Sequence, residues 1–261
     1  MKKGFFLTDT YHTRENTPRL FFDRISLNTR LYFMCKFFAI VLKNRLLALK
    51  EQYGREAWAK SSYDIFKLIE GCGGRFHLTG LANMEKCQGP VVFISNHMST
   101  LETLIFPCII VPHMEVTFVV KESLVKHPFF GPIMRSRNPI VVGRTSSRED
   151  LQTVMKQGQK LLSEGTSIII FPQSTRAVEF DPKGFNSLGV KLARAAKVPV
   201  IPIAIKTDFW GNGKYFKDLG PIKRWKPIHM AFGEPISIVG SGKKQNELVI
   251  EYICTHLAKW N

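Results

Sequence analysis

From residue 75 onward the chain alternates between short apolar runs and longer segments whose apolar residues recur every three or four positions. Short runs bounded by turn-forming residues predict strands, and the longer periodic segments predict helices. The predicted strands cover residues 75–79, 91–95, 116–120, 139–142, 167–171, 200–205 and 228–232. The predicted helices cover residues 100–110, 148–163, 186–196 and 246–260. Strands that alternate with helices in this way predict an α/β fold, with a mixed, mainly parallel sheet flanked by helices.

The first 70 residues follow a different pattern. Residues 24–50 are strongly apolar and predict one helix, and a second helix is predicted over residues 56–70. The polar positions of the first helix stand seven apart, at Thr29, Lys36, Lys43 and Lys50. Seven residues make about two helical turns, so these side chains form one narrow polar stripe on an otherwise apolar helix.

This change of pattern divides the chain into an N-terminal amphipathic helical segment, residues 1–70, and a second domain, residues 71–261. Two interpretations of the first helix stay open. It is either a core helix packed on its own protein, or an interfacial helix lying in the headgroup region of a membrane with its lysines reaching the polar surface. Its unbroken apolar stretches are too short to span a bilayer.

The charge of the chain narrows the choice of partner. Lys and Arg number 37 against 21 Asp and Glu, a net charge of +16, which indicates nucleic acid, a membrane surface or a phosphorylated substrate. No helix-turn-helix, zinc-finger or RNP-like pattern is present, so we expect no nucleic acid. The 5 cysteines form no C-x-x-C pair and the histidines lack metal-ligand spacing, so we expect no metal site and a cytosol-facing location.

The first candidate site follows the strand predicted at residues 91–95. His97 falls in the turn after this strand, and Glu102 lies in the first turn of the next helix. From that position the carboxylate can reach back to the imidazole, fix its tautomer and leave the other ring nitrogen to take a proton from an alcohol. A structural interpretation is equally open at this point, because Ser99 and Glu102 also have the spacing of a helix capping box.

Two other predicted strands end close to an arginine. The strand at 167–171 is followed by amide and hydroxyl side chains and then by Arg176, and the strand at 139–142 is followed by Arg144. A guanidinium group makes paired, charge-assisted contacts with phosphate. For each arginine alone, a solvated surface side chain is the ordinary alternative. Together, at the ends of two strands of one sheet, they favour a phosphate site.

In this order, the segments resemble the glycerophospholipid acyltransferase family, which includes the 1-acyl-glycerol-3-phosphate acyltransferases. The family's N-H-x4-D/E block is matched by Asn96, His97 and Glu102. Its three later blocks, one ending in Arg, one reading F-P-E-G-T-R and one reading V-P-I/V-x-P, are matched by residues 140–144, 171–176 and 198–202. The resemblance covers roughly residues 75–240 and makes the second domain an acyltransferase domain. The N-terminal segment matches only in character, as a membrane-docking element.

The resemblance implies an enzyme of phospholipid biosynthesis that converts lysophosphatidic acid to phosphatidic acid. His97 and Glu102 are the implied catalytic residues, and backbone amides of the turn around them are implied to stabilise the oxyanion. The implied substrate-binding residues are Asn96, Arg144, Gln173, Ser174, Thr175 and Arg176.

The same resemblance implies the partners and the location of the enzyme. The acceptor is a lysophospholipid, and the donor is acyl-CoA or acyl-acyl carrier protein, used as a co-substrate with no further cofactor. The expected location is the cytoplasmic face of the cell membrane, against an anionic lipid surface.

Two departures from the family pattern leave the acceptor open. Gln173 and Ser174 stand where the family has Glu and Gly, whereas Glu102 in place of the commoner Asp keeps the carboxylate. Acyl transfer itself is compatible with these changes, because His97 and Glu102 remain. The alternatives are glycerol-3-phosphate, an ornithine lipid precursor or a lipid A precursor as acceptor, or a lipid-binding protein with a degenerate site.

Overall fold

The computed structural model describes residues 4–26, 29–173, 175–213 and 217–261. Its strands are β1 (Tyr11–His12), β2 (Phe76–Thr79), β3 (Val92–Ser95), β4 (Val116–Lys121), β5 (Ile140–Val142), β6 (Ser167–Ile170), β7 (Val200–Lys206) and β8 (Ile228–Phe232). Its α-helices are α1 (Phe21–Ile25), α2 (Leu31–Leu49), α3 (Arg55–Gly71), α4 (Leu101–Ile110), α5 (Glu122–Lys126), α6 (Gly131–Arg135), α7 (Ser147–Ser163), α8 (Leu188–Ala196) and α9 (Lys243–Trp260). Short 3-10 helices cover Leu81–Lys86 and Lys217–Leu219.

The strands form one mixed sheet in the order β1-β2-β8-β7-β3-β6-β4-β5, which confirms the predicted fold class. Its central strands β3, β6 and β7 are buried along their whole length. Helices α8 and α9 pack on the centre of the sheet, and α7 packs on β5 and β6. Because water reaches neither face of these strands, their sequences read as continuous apolar runs rather than alternating ones.

Sequence periodicity located the long elements well and missed the short ones. Every predicted strand is present, with its ends within about one residue of the expected positions, as boundary arguments allow. The unpredicted elements are β1, α1, α5 and α6, each of at most 5 residues, and the two 3-10 helices, of 6 and 3 residues. A segment of that length is too short to repeat a helical or strand period, so no pattern marks it.

The first predicted helix begins later than expected. Residues 24–50 do not form one helix: α1 ends at Ile25, residues 27–28 lie outside the described ranges, and α2 begins only at Leu31. Thr29 therefore precedes the helix, and Lys50 follows its last turn, so the predicted polar stripe shrinks to Lys36 and Lys43.

Helix α2 has one buried and one exposed apolar face, so the core interpretation and the interfacial interpretation each describe one face. Phe33, Phe37 and Val41 are buried, and the Phe33 and Phe37 rings lie 4.9 and 5.2 Å from the Trp210 ring, centroid to centroid. The opposite face exposes further large apolar side chains: Leu31, Leu42, Leu46 and Leu49. The helix thus packs on the protein and also presents an apolar face outward, and its contact with a membrane stays a prediction.

The N-terminal 70 residues are attached to the sheet. Strand β1 pairs antiparallel with β2 at its edge, and α3 packs along α4. The proposed division at residue 70 therefore marks a change of sequence pattern within contacting parts of the molecule, and it stays a prediction as a domain boundary. Among the described residues, every helix is too short or too polar to cross a lipid bilayer.

The sheet brings the candidate turns to one edge. Strands β3, β6, β4 and β5 are consecutive neighbours and run parallel, so the segments that follow them emerge on the same side. The turns that carry His97 and Arg176 follow adjacent strands. Arg144 follows β5, three strand positions from β3, or about 14 Å at the usual strand spacing.

Candidate active site

His97 and Glu102 form a hydrogen-bonded pair. His97 lies in the turn between β3 and α4, and Glu102 lies in the first turn of α4. The imidazole Nδ1 is 2.9 Å from Glu102 Oε1, and since a carboxylate only accepts hydrogen bonds, Nδ1 carries the proton. The other ring nitrogen, Nε2, then presents a lone pair, and it has no hydrogen-bond partner within the described ranges.

Glu102 is completely buried and its oxygens are surrounded by donors. Besides His97, Oε1 accepts the backbone N–H of Met98 at 2.7 Å and of Ser99 at 2.8 Å. Oε2 accepts the hydroxyls of Ser99 at 2.9 Å and Thr207 at 2.7 Å. A carboxylate this deeply buried costs several kcal/mol unless its lone pairs are satisfied, and here 5 donors satisfy them.

These donors decide the ionisation of Glu102. Burial is the largest single influence and raises the pKa of this carboxyl. The hydrogen bond and charge of His97, with the hydrogen bonds from Thr207 and the Ser99 backbone, outweigh burial and hold the pKa below its ordinary value. Glu102 is therefore a carboxylate at neutral pH, able to stabilise a positive charge on His97.

The capping interpretation of the same residues is also correct in part. Glu102 Oε1 accepts from the Ser99 backbone N–H, and Ser99 Oγ accepts from the Leu101 N–H at 3.1 Å, as in a capping box shifted by one position. One carboxylate thus begins the helix and orients the imidazole. The two interpretations of the spacing are not exclusive.

His97 is held in place on its other sides as well. Its ring stacks on Phe171, with centroids 4.2 Å apart and planes inclined by 21°. Its backbone N–H donates to Gln173 Oε1 at 2.6 Å, which couples the turn after β3 to the turn after β6. The side chain keeps 17% of its surface exposed, enough for a substrate hydroxyl to approach.

Four backbone amides of this turn already donate to side chains, so these four are not available for the expected oxyanion role, which otherwise stays a prediction. The amide of His97 donates to Gln173, those of Met98 and Ser99 donate to Glu102, and that of Leu101 donates to Ser99 Oγ. An amide that already donates along its N–H bond cannot also point at a developing oxyanion. These four amides build the turn and hold its carboxylate.

Asn96 lies in the scaffold and not on the substrate side, which corrects its expected role. Its side chain is buried, with Nδ2 donating to the Ile205 carbonyl and Oδ1 accepting from the Ile205 N–H, both at 2.9 Å. Both polar groups of the amide are thereby paired with the backbone of β7. Asn96 fixes the start of the His97 turn to the neighbouring strand.

Arg176 lies close to the His97 turn, in a cluster with Thr100 and Asp218. Its guanidinium Nη1 donates to Asp218 Oδ1 at 2.7 Å and to Thr100 Oγ1. The Thr100 hydroxyl in turn donates to Asp218 Oδ1 at 2.7 Å. Burial is the largest influence on Asp218 and raises its pKa, but the hydrogen bonds from Thr100 and Arg176 and the charges of Arg176 and His127 lower the pKa overall.

Arg144 lies farther from the pair. Its φ of 60° is in the left-handed region that L residues seldom adopt. Asp150, in the first turn of α7, stabilises that conformation by accepting the N–H groups of Gly143 and Arg144, each at 3.0 Å. The Arg144 side chain is exposed at the same edge of the sheet as Arg176 but two strand positions away, or about 10 Å.

The remaining predicted residues divide in two. Gln173 contacts the His97 backbone, and Thr175 is exposed in the turn after it. Ser174 lies outside the described residues. Among the described ranges, no three metal-ligating side chains lie together in a way that would hold a metal ion. The expectation of a reaction without a metal stays a prediction.

Three contributors from outside the motif segments were not predicted. Thr207 follows β7 directly and reaches Glu102 across 105 positions of sequence, and Asp218 reaches Thr100 across 118. Asp150 supports the Arg144 turn. None of them belongs to a motif. Only Thr207 could have been found from the sequence. The buried strand predicted at residues 200–205 ends just before it, at the same edge of the sheet as the turn that carries His97.

Comparisons with known proteins agree with this geometry. The family model described as Acyltransferase matches residues 75–206, which include His97, Glu102, Arg144 and Arg176. A relative named 1-acyl-sn-glycerol-3-phosphate acyltransferase, from Pseudomonas aeruginosa, is 29% identical over 187 residues, which is 72% of this chain and 68% of that protein. A protein of the same name from Saccharomyces cerevisiae is 26% identical over 66% of this chain and 55% of its own length.

A solved structure shares the fold. The 1-acyl-sn-glycerophosphate (LPA) acyltransferase PlsC from Thermotoga maritima superimposes with a TM-score of 0.64 at 20% sequence identity. The match covers 91% of this chain and 97% of that one.

Proposed function

This chain belongs to the acyltransferase family, and we propose that it moves a fatty acyl group from an acyl thioester to the free hydroxyl of lysophosphatidic acid, giving phosphatidic acid. The observation that carries the proposal is the His97–Glu102 pair, with Nδ1 bound to a buried carboxylate and Nε2 without a partner among the described residues. The named relatives, both 1-acyl-sn-glycerol-3-phosphate acyltransferases, support this choice of acceptor.

The proposed reaction needs one proton relay. His97 Nε2 takes the proton of the acceptor hydroxyl as its oxygen attacks the thioester carbonyl, and a tetrahedral oxyanion forms. Glu102 stabilises the imidazolium through Nδ1. The carbonyl re-forms as the carbon–sulfur bond breaks, and the leaving thiolate takes the proton from Nε2. Acyl-CoA or acyl-acyl carrier protein is the proposed donor, and we propose that the enzyme needs neither a metal nor another cofactor.

Arg176 is the residue best placed to bind the acceptor phosphate. It follows β6, the strand beside β3, and it contacts Thr100, three residues after His97. Only 16% of its side-chain surface is exposed, so little orientational freedom is lost when it binds an anion. Arg144, at the same edge but farther away, is proposed as a second, weaker contact with the phosphate.

An assay of turnover tests this function. Purified protein is supplied with lysophosphatidic acid and either acyl-CoA or acyl-acyl carrier protein, and products are identified by mass. We expect phosphatidic acid from the wild type and a rate about 10²–10⁴ lower from His97→Ala, the usual contribution of a general base. His256→Ala, on α9, is the matched control and should leave the rate unchanged. Near-normal turnover by His97→Ala would overturn the assignment, and a product only from glycerol-3-phosphate or another acceptor would redirect it.

We further propose that the enzyme docks on the cytoplasmic face of the cell membrane through the apolar side chains around α1. Phe21, Phe22, Ile25, Leu31 and Trp225 are all more than half exposed. Arg224, next to Trp225, connects the segments that carry these side chains. It donates to Asp23 of α1 at 2.8 Å and to the Thr29 carbonyl, just before α2, at 2.9 Å. The 5 cysteines are all free thiols, which supports a reducing compartment.

This surface also lies beside the site. The Arg30 side chain, at the start of α2, donates to the Leu219 carbonyl, in the 3-10 helix that carries Asp218. A lipid acceptor entering from the membrane would therefore reach Arg176 over a short path. Sedimentation with anionic and zwitterionic vesicles tests the docking.

The sharpest variant is the double change Phe21→Ser and Phe22→Ser, which should lower binding to anionic vesicles by about tenfold or more, given the apolar area removed. Val239→Ser changes a comparably exposed side chain, 73% against 69% for Phe21, on another part of the surface and should have no effect. Equal binding by all three proteins would contradict the proposed surface.

A further inference from the structure

The arginine assigned to the acceptor phosphate is already bound to an anion of the protein itself. Asp218 Oδ1 accepts from Arg176 Nη1 and from the Thr100 hydroxyl, both at 2.7 Å. Arg176 contacts Thr100 as well, so the three side chains close a triangle. A phosphate oxygen placed against Nη1 of Arg176 and the Thr100 hydroxyl would need the same donors that the carboxylate occupies.

The three side chains differ in how freely they can move. The Arg176 side chain is 16% exposed and is fixed by its surroundings, whereas half of the Asp218 side chain is in contact with solvent. If Asp218 turned away as a phosphate arrived, its carboxylate would meet water and the phosphate would replace it as the partner of Arg176. The carboxylate is the member of the cluster that can leave at little cost.

We propose that Asp218 is a tethered competitor for the acceptor phosphate, which sets the affinity of the site: its carboxylate occupies the position beside Arg176 Nη1 and Thr100 until a stronger anion displaces it. The inference rests on the proposed function, in which Arg176 binds the phosphate of the acceptor. It assigns a purpose to a residue that lies outside all four motif segments.

Charge decides which acceptors displace the carboxylate. A phosphate monoester carries a charge of about −1.5 to −2 at pH 7 and has three strong acceptor oxygens. A phosphodiester carries a single negative charge, no more than the carboxylate. Because Asp218 is attached to the same chain, it competes at a high effective concentration and weakens every anion that must displace it by the same factor. A phosphate monoester, with the larger charge, therefore still fills the site at concentrations at which a phosphodiester does not.

Direct binding of inorganic phosphate tests the competition without relying on turnover. Isothermal titration compares the wild type with Asp218→Asn, which keeps the size of the side chain but removes its charge. We expect Asp218→Asn to bind phosphate about tenfold more tightly, the effect of losing one charge-assisted contact that must otherwise be broken. Asp64→Asn, which removes a carboxylate paired with Lys60 on α3, is the matched control and should change nothing.

A second variant guards against a misleading result. In Asp218→Asn the amide oxygen of the new side chain would still accept a hydrogen bond from Arg176, so Asp218→Ala is titrated in parallel and should bind phosphate at least as tightly. Phosphate binding that is unchanged or weaker in both variants would overturn the proposal, because Asp218 would then be supporting Arg176 and not competing for its ligand.

Kinetics with two acceptors tests the displacement. We expect Asp218→Asn to lower KM for lysophosphatidic acid about tenfold while kcat and the KM for the acyl thioester stay unchanged. KM for lysophosphatidylglycerol should fall by a similar factor, since a competitor that both acceptors must displace weakens both equally. A structural role would instead change kcat or thermal stability, and a KM for lysophosphatidic acid that is unchanged or higher would overturn the proposal.

The two experiments separate the two claims. If Asp218→Asn bound phosphate more tightly but the wild type did not turn over lysophosphatidic acid, the competitor role of Asp218 would stand and the proposed function would be wrong. Turnover by the wild type, with no change of phosphate binding or of KM for the acceptor in the variants, would instead support the proposed function and overturn the competitor.

Discussion

The two halves of the site are built on different principles. The catalytic half comes almost entirely from one turn, in which His97 and Glu102 stand five residues apart and the carboxylate is buried with 5 donors around it. The phosphate half joins Arg176 to a residue 42 positions away, Asp218, and leaves that partner half exposed.

This difference separates chemistry from recognition. A general base must keep one tautomer and one orientation in every turnover, which a saturated, buried partner provides. A phosphate-binding arginine must exchange one anion for another, so its resting partner has to be removable. The first half is therefore expected to lose activity sharply when it is changed, and the second to change its affinity for the acceptor.

The largest effect should come from Glu102→Ala. The change leaves the Met98 and Ser99 amides and the Thr207 hydroxyl without their acceptor in a buried place and removes the partner of His97. We expect turnover to fall by at least about 10²-fold, as the tautomer of His97 is no longer fixed. We also expect the free energy of unfolding to fall by about 3 kcal/mol.

Chemical denaturation and the turnover assay measure the two losses. Glu102→Asp, which keeps a carboxylate, is the control and should recover most of the stability and a part of the rate. His97→Ala should lose the rate with little stability. If Glu102→Ala had the same free energy of unfolding as the wild type, the buried hydrogen bonds of Glu102 would not contribute the stability assigned to them.

The next effect should separate the two arginines. Arg176 is partly buried beside Thr100, whereas Arg144 is exposed about 10 Å farther along the edge of the sheet. Arg176→Ala is therefore expected to lower kcat/KM for lysophosphatidic acid by about 10–100-fold, the range of a charge-assisted contact with phosphate. Arg144→Ala should cost about threefold to tenfold. Michaelis–Menten kinetics at varied acceptor concentration tests the order, and equal losses would mean that the phosphate lies midway between the two arginines.

The same contrast explains how far sequence reasoning reached. His97 and Glu102 could be paired in advance because both belong to one strand-to-helix turn, whose geometry follows from local pattern. The ion pair of Arg176 with Asp218 could not, because it joins a motif turn to a 3-10 helix that no periodicity marks. Asn96 was misassigned for a related reason, since its partner, the backbone of Ile205, is 109 positions away and only sheet order places it there.

A pH dependence of stability should follow from Glu102. Its pKa in the folded protein lies below the ordinary value of 4.5, so the folded state binds the proton less readily than the unfolded chain. The stabilisation is therefore complete above that ordinary value and is lost as the pH falls through the pKa of the folded state. Denaturation curves from pH 7 down to pH 3 should show the wild type losing stability that Glu102→Gln never had. Parallel curves for the two proteins would contradict the lowered pKa.

The smallest effect should come from Gln173→Glu. Gln173 lies in the turn after β6 and contacts the His97 turn, so it connects the two halves of the site. Gln173 Oε1 accepts the His97 backbone N–H at 2.6 Å, and a carboxylate accepts the same hydrogen bond. Turnover of lysophosphatidic acid should therefore stay within about threefold of the wild type at pH 8.

Gln173→Leu provides the contrast, because it leaves the His97 N–H without an acceptor and should lower turnover about tenfold. If Gln173→Glu fell as far as Gln173→Leu, the amide N–H₂ of Gln173 would be contacting the substrate itself. The residue would then belong to the half of the site that recognises the acceptor, and the departure from the family's glutamate would mark a different acceptor.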